Sequence, residues 1–264
     1  MRTVILIKPH AMDFLYVHSD LIKEIKDFRL EIIEDYEIYL DLATIRCVWP
    51  QCICNPICER IFIKHYLNKR ARVFVVEGKN ALLSTLTIKK HIRKKYEISY
   101  MENCIHTPID ENENNINLNV LKGLNVCELQ ERLTALHSGA YFNFGKNFDE
   151  QVFERCANSL WDIKKSEVGL EIYHLFKKQH KWMLLLFRDE KTNMDYTAEV
   201  LFKELKAQEN DAVEAYTTAY KVAMNGFFPV FSSNHQDEIL PIYKNLSKHL
   251  KVKLLTDQST GVSK

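Results

Sequence analysis

The 264-residue sequence has no apolar stretch that approaches a membrane span, almost no net charge and no paired-cysteine pattern. The first absence argues against a helical span, which takes about 20 consecutive apolar residues. The opening residues form a strand-like run that is too short and wrongly flanked for a signal peptide. With 36 Lys and Arg against 35 Asp and Glu, the formal net charge of +1 gives no general pull toward nucleic acid or an anionic membrane. Either partner would need a local basic patch. The seven cysteines are an odd number without a secretory segment, so they read as reduced thiols and cytoplasm is the expected compartment. Cys47, Cys52, Cys54 and Cys58 cluster but lack Cys-x-x-Cys arms, and on a helix these positions do not converge on one face. They are read as core thiols, with no metal site expected.

What is present is ordinary globular composition, 46% hydrophobic and 27% charged, in a chain long enough for two small domains. Val4 to Ile7 is a continuous apolar run rich in β-branched residues, which predicts a strand buried on both faces and ended by Pro9. Leu15, Leu21, Ile22 and Ile25 recur at helical spacing with Ser19 and Asp20 as candidate caps, and Phe28 to Tyr39 returns as a long strand. Helices are expected over 42–49 and 57–67, strands over 71–77 and 98–105, and a turn at Gly78-Lys79-Asn80. Asp110 to Asn119 is acidic and asparagine-rich and reads as a solvated loop.

Two stretches carry the chemistry. Lys8-Pro9 closes the first strand, and Asn103-Cys104-Ile105-His106 ends a later one. A histidine can accept a phosphoryl group if a lysine on a neighbouring strand neutralises the transferring charge. The same pair, taken alone, is equally a lysine reaching water and a turn histidine satisfied by backbone.

With Phe28-Arg29-Leu30, Asn55-Pro56 and Val75-Val76-Glu77-Gly78 falling in order between them, these landmarks resemble the nucleoside diphosphate kinase family over the first half of the chain. The resemblance implies a ferredoxin-like α+β sandwich over residues 1–120. It implies that Lys8 binds the transferring phosphate, that His106 is the nucleophile, and that Asn103 orients substrate groups. Trp49 falls where the family stacks an aromatic on the base, with Ile57 in place of a second aromatic. Arg93, within Lys89-Lys90-His91-Ile92-Arg93-Lys94-Lys95, is the candidate for a second phosphate contact, although such a run is more often a solvated helix end. Magnesium is expected with the nucleotide. The sequence departs from the family at His10, where an Asp is usual, and at Thr107-Pro108-Ile109-Asp110 after the histidine. Asn117 stands at the spacing of the glutamate that holds the histidine ring. A shortened loop before His106 argues against the usual hexamer and leaves homo-oligomer formation open.

Residues 121–180 carry helical periodicity over 124–136, 148–161 and 166–178 and are read as a helical connector packing between flanking domains. Residues 181–256 read as strand, two helices, strand, helix, strand, which makes a three-stranded antiparallel sheet backed by helices; 257–264 is a tail. The segment Leu186-Phe187-Arg188-Asp189-Glu190-Lys191-Thr192-Asn193-Met194, with Val222-Ala223-Met224-Asn225-Gly226 and Leu250-Lys251-Val252-Lys253-Leu254, is similar to the ClpS adaptor family. That resemblance implies peptide recognition by Asp189 with Thr192 and Met194 at the pocket edge, and a protein partner such as a Clp ATPase. Arg188 and Ala223 occupy the positions of the family's asparagine and histidine. Two readings therefore stand: a phosphohistidine kinase or its nucleotide-binding descendant, and a non-catalytic adaptor.

Overall fold

The computed structural model describes residues 1–50, 56–96, 103–123, 150–163, 180–189, 191–205 and 212–256. The chain divides into two compact α+β units, Met1–Tyr141 and Phe142–Lys264.

The first unit runs β1 (Arg2–Ile7), a 3-10 turn (Pro9–Ala11), α1 (Val17–Asp27), β2 (Glu31–Tyr39), α2 (Leu42–Val48), α3 (Pro56–Tyr66), β3 (Arg70–Glu77), α4 (Ala81–Tyr96), β4 (Ile105–His106) and α5 (Glu111–Leu121). The four strands form one antiparallel sheet in the order β2-β3-β1-β4, the ferredoxin-like arrangement. As its β-branched run predicts, β1 is central, and every residue of it after Arg2 is buried. Alternation along the strands splits the core in two. Ile5, Ile7, Phe74, Val76 and Ile105 face Val17, Leu21 and Ile25 of α1 and Ala81, Ile88 and Ile92 of α4. Val4, Leu6, Lys8 and His106 take the opposite parity, since Leu6 is registered with His106 and Ile7 with Ile105.

That second face is covered by α5, which corrects the reading of Asp110 to Asn119 as a loop. The acidic, asparagine-rich composition is misleading because Asp110 is an N-cap: its Oδ1 accepts from Glu113 N at 2.8 Å, and Glu113 Oε2 accepts from Ile109 N at 2.7 Å. Asn114 then donates to Arg2 O at 2.9 Å, and Tyr36 donates to Leu121 O at 3.1 Å, fixing both ends of α5 on the sheet. A second correction concerns α1. Ser19 and Asp20 lie inside the helix, whose N-cap is Tyr16 in the left-handed region (φ 78°), and Leu15 is outside it. β2 begins at Glu31 rather than Phe28 because Arg29 (φ 56°) turns the chain out of α1.

The second unit contains α6 (Glu150–Asp162), β5 (Trp182–Phe187), α7 (Met194–Leu205), α8 (Ala212–Asn225), β6 (Phe227–Ser233), α9 (Gln236–Leu246) and β7 (Val252–Thr256). Its antiparallel sheet has the order β6-β5-β7. Met183 to Leu186 of the central strand are buried, and α7 and α8 pack together, with Ala198, Leu201, Ala215 and Ala219 fully buried. α6 packs on α8, where Ser159 Oγ and Thr217 Oγ1 lie 3.2 Å apart. The helices expected over 124–136 and 166–178 lie outside the described residues, as do most of the strand expected over 98–105 and Cys52 and Cys54. No described helix is long and apolar enough to cross a membrane.

Candidate functional site

Strand register explains why two residues 95 positions apart, Lys8 and Asn103, meet. Lys8 N donates to Cys104 O at 3.0 Å, continuing the β1-β4 ladder, so the residues flanking Cys104 come to the end of β1. Lys8 is only 4% exposed, and its ammonium donates to Asn103 Oδ1 at 2.7 Å. It also lies 5.7 Å from the ring centroids of Trp49 and Tyr66, whose π faces compensate part of its desolvation. The structure thus brings together Lys8 and Asn103, which the sequence had paired only through resemblance.

His106 is 7% exposed. Its Nε2 lies 2.9 Å from Asn117 Nδ2 and 3.5 Å from Glu113 Oε1, both on α5 one turn apart. The Trp49 ring meets the imidazole edge-on at 5.5 Å between centroids. Trp49 itself is 4% exposed, stacked on Phe62 at 5.1 Å and tilted against Tyr66 at 5.1 Å, so it forms a wall beside the histidine.

The basic run on α4 is not merely a solvated end. Arg93 donates through Nε (3.1 Å) and Nη2 (2.8 Å) to Ile105 O, and Lys89 donates to Thr107 O at 2.9 Å. The two cations therefore clamp the carbonyls on either side of His106. Lys95, by contrast, pairs with Asp20 at the surface, and Lys90 and Lys94 are exposed.

Electrostatics follow from this packing. Burial pushes His106 well below its ordinary 6.5, reinforced by the charges of Lys8, Lys89 and Arg93, so the imidazole is neutral near neutral pH. Burial also pushes Lys89 down to about 8, with Arg93 adding to it and Glu113 opposing. Glu113 is raised by burial, against its bond from Ile109 N. The outcome is a neutral imidazole in the field of three cationic side chains. Such a group can attack an electrophile that arrives negatively charged, because the cations favour the anion and the neutral ring keeps its lone pair.

Glu113 and Tyr66 were not singled out by sequence reasoning, and Lys89 was named only as part of the basic run. Glu113 had a signal, the Asp-x-x-Glu spacing of residues 110–113, which marks a helix start and places Glu113 and Asn117 on one face. Among the described residues no group of three or more His, Cys, Asp or Glu side chains forms a metal site.

In the second unit, a cavity of about 260 Å³ is lined by Arg188, Asp189, Thr192, Met194, Ala223 and neighbouring side chains. It gathers the three residues expected to touch a peptide. Asp189 Oδ1 accepts from Lys191 N at 2.9 Å, Thr192 Oγ1 donates to Asp189 O at 3.3 Å, and Arg188 reaches across to donate to Ala223 O at 3.3 Å.

No family model and no curated protein matches the chain. Among solved structures it is similar to a nucleoside diphosphate kinase of Encephalitozoon cuniculi, at 18% identity over 47% of this chain and 90% of that one, with a TM-score of 0.41. It is also similar to the nucleoside diphosphate kinase of Aquifex aeolicus, at 16% identity, 44% and 91% coverage and a TM-score of 0.38. A nucleoside diphosphate kinase family protein from Babesia bovis gives 13% identity, 44% and 84% coverage and a TM-score of 0.39. At such identities and scores these are similarities that define no activity.

Proposed function

We propose that the first unit is a nucleotide-binding domain in which His106 accepts the γ-phosphoryl group of a nucleoside triphosphate and passes it to a nucleoside diphosphate. The observation that carries this reading is the neutral, buried imidazole of His106, with Lys8, Lys89 and Arg93 supplying positive charge around it. Nε2 is turned toward Asn117 and Glu113, so Nδ1 is the nitrogen left to attack.

In this scheme the Nδ1–P bond forms as the bond from Pγ to the bridging oxygen breaks, and the nucleoside diphosphate leaves with the electron pair. Lys8 neutralises the equatorial oxygens. With the Asn117 amide turned so that its Oδ1 faces Nε2, the ring keeps its proton on Nε2, where Glu113 balances the charge of the phosphorylated imidazolium. The acceptor diphosphate reverses these steps. Magnesium enters as part of the substrate, held by the nucleotide's own phosphates and water.

The test is incubation with γ-labelled ATP and magnesium beside His106→Ala and Lys8→Met. Acid-labile, base-stable label on the wild type that disappears in His106→Ala supports phosphohistidine. Absence of label on a wild type that still binds ATP overturns transfer and leaves a nucleotide-binding descendant.

A second reading is favoured by the cavity around Asp189. In it the chain is an adaptor: the second unit receives a peptide end at Asp189, Thr192 and Met194, and the first senses nucleotide. Fluorescence titration with peptides bearing free or acetylated α-amino groups tests it. Equal binding of both, or of neither, overturns an ammonium-reading pocket.

A further inference from the structure

A second cavity, of about 330 Å³, opens in the first unit between the 3-10 turn after β1 and the turn that joins α3 to β3. Its polar lining is His10, Asp13, His65, Lys69 and Arg70. None of the residues placed at His106 lines it.

Both walls are fixed by backbone. On one side Ala11 N donates to Lys8 O at 2.9 Å and Met12 N to Pro9 O at 3.2 Å. On the other, Asn68 adopts the left-handed conformation (φ 56°), which ends α3 and lets Asn68 N reach Leu40 O at 2.8 Å and Lys69 N reach Tyr66 O at 3.1 Å. Leu40 N returns a bond to Lys69 O at 3.1 Å. Lys69 and Arg70 are therefore presented from a rigid turn.

The lining is rich in hydrogen-bond donors. A guanidinium, an ammonium and two imidazoles face a single carboxylate. Arg70 is shared with Glu37 at 3.4 Å, and Lys69 has no ion-pair partner among the described residues. Several N–H donors converging on one concavity match an anion with more than two oxygens better than a carboxylate, which offers only two. The volume lies at the low end for small-molecule sites, enough for a phosphate chain and its water. A structural link to the histidine site exists as well. His10 stacks on Tyr66 (5.9 Å between centroids, 18° between planes), and Tyr66 is one of the two rings beneath the Lys8 ammonium.

We infer that this cavity is a phosphate-chain site separate from His106, with Lys69 and Arg70 as its principal cationic contacts. The chain can arrive free or carried on a nucleotide.

The experiment is calorimetric titration of inorganic pyrophosphate, and separately of ADP, into the full chain, into Lys69→Ala/Arg70→Ala, into Lys69→Glu and into Lys8→Met. Circular dichroism melts check that each variant is folded. Expected are a pyrophosphate binding event that persists in Lys8→Met and a loss of tenfold or more in affinity in both Lys69 variants. In Lys8→Met, ADP binding tenfold tighter than pyrophosphate assigns a nucleotide-borne chain, and equal affinity assigns a free one. No binding by the wild type, binding unchanged in the Lys69 variants, or binding lost only in Lys8→Met overturns the inference.

Discussion

Asn117 presents its side-chain amide to Nε2 of His106 at 2.9 Å, from a helix whose first turn also brings Glu113 to 3.5 Å of the same nitrogen. Among the described residues the amide's Oδ1 has no hydrogen-bond partner, so a half-turn of the amide would place an acceptor against Nε2–H. Which way the amide faces decides which ring nitrogen carries the proton. Attack through Nδ1 requires the proton on Nε2, and hence an acceptor from α5.

Nitrogen-15 NMR of ring-labelled protein is therefore expected to show His106 as the Nε2–H tautomer, neutral at and below pH 6.5 because burial and three cations disfavour its charge. Asn117→Leu removes the nearer, amide acceptor, leaving only Glu113 at 3.5 Å, and is expected to slow labelling by roughly ten- to a hundredfold, since a buried hydrogen bond is worth about 1–3 kcal/mol. Asn117→Asp keeps an acceptor and is expected to restore much of the rate. If Asn117→Leu leaves both tautomer and rate unchanged, Asn117 only packs.

Lys89 gives a pH dependence whose sign is fixed by the direction of its shift. Burial and Arg93 hold it down to about 8 in the folded chain, against an ordinary value of 10.5. Between those values the unfolded chain binds a proton that the folded chain has released, so stability rises with pH. The penalty is complete below about pH 8 and gone above about 10.5. Lys89→Met keeps the stem and removes the charge. It is expected to stabilise the first unit by about 1–2 kcal/mol at pH 7, after allowing for the lost bond to Thr107 O, and to flatten the slope between pH 8 and 10 in urea titrations. An unchanged slope would show the ammonium to be fully hydrated.

Tyr16 illustrates strain at a position where the side chain contributes little. It is 64% exposed yet sits at φ 78°, where a residue with a Cβ costs about 1–2 kcal/mol. Glycine removes that cost and gives back part of it through the unfolded chain. Tyr16→Gly is expected to stabilise by roughly 0.5–1 kcal/mol, read as a rise in melting temperature. A fall would mean that the exposed ring is held by contacts the backbone geometry does not reveal.

Much of the first unit was legible because its strands are written as apolar β-branched runs. Val4 to Ile7 appears as Arg2–Ile7, two residues longer at its start, and Ala71 to Glu77 as Arg70–Glu77, one residue longer. Lys8, Asn103 and His106 were singled out through the order of landmarks, and the β1-β4 pairing brings Asn103 to Lys8 and sets His106 opposite Leu6. What composition concealed was α5. Seven of its eleven residues are Glu or Asn, a mixture that favours loops, and only the Asp110 cap and the tertiary bonds of Asn114 and Asn117 make it a helix. Glu113 was lost with it. Trp49 was found, but its burial against Phe62 and Tyr66 depends on helix packing that no local pattern encodes. Tyr16 and Arg29 shifted element boundaries because a positive φ at a bulky residue has no sequence signature.

In the second unit, Asp195 lies in the first turn of α7 and is bonded by the hydroxyl of Tyr216, a fully buried side chain of α8. Burial raises its carboxyl to about 6 from an ordinary 3.8, and the Tyr216 bond offsets only part of the rise. The folded chain thus holds a proton between pH 3.8 and 6 that the unfolded chain has lost, so stability falls as pH rises through that window. The penalty is complete above about pH 6 and absent below about 3.8. Asp195→Asn keeps the shape and an acceptor for Tyr216 while removing the charge. It forfeits the attraction of a carboxylate to a helix N-terminus, about 0.3–1 kcal/mol, so the net gain expected at pH 7 is about 1–2 kcal/mol. The gain should shrink toward pH 4. Tryptophan emission in a Trp49→Phe background, where Trp161 and Trp182 remain as reporters of the second unit, follows its urea unfolding at both pH values. A variant less stable than its parent at pH 7 would mean that the ionised carboxylate contributes more at the start of α7 than its burial costs.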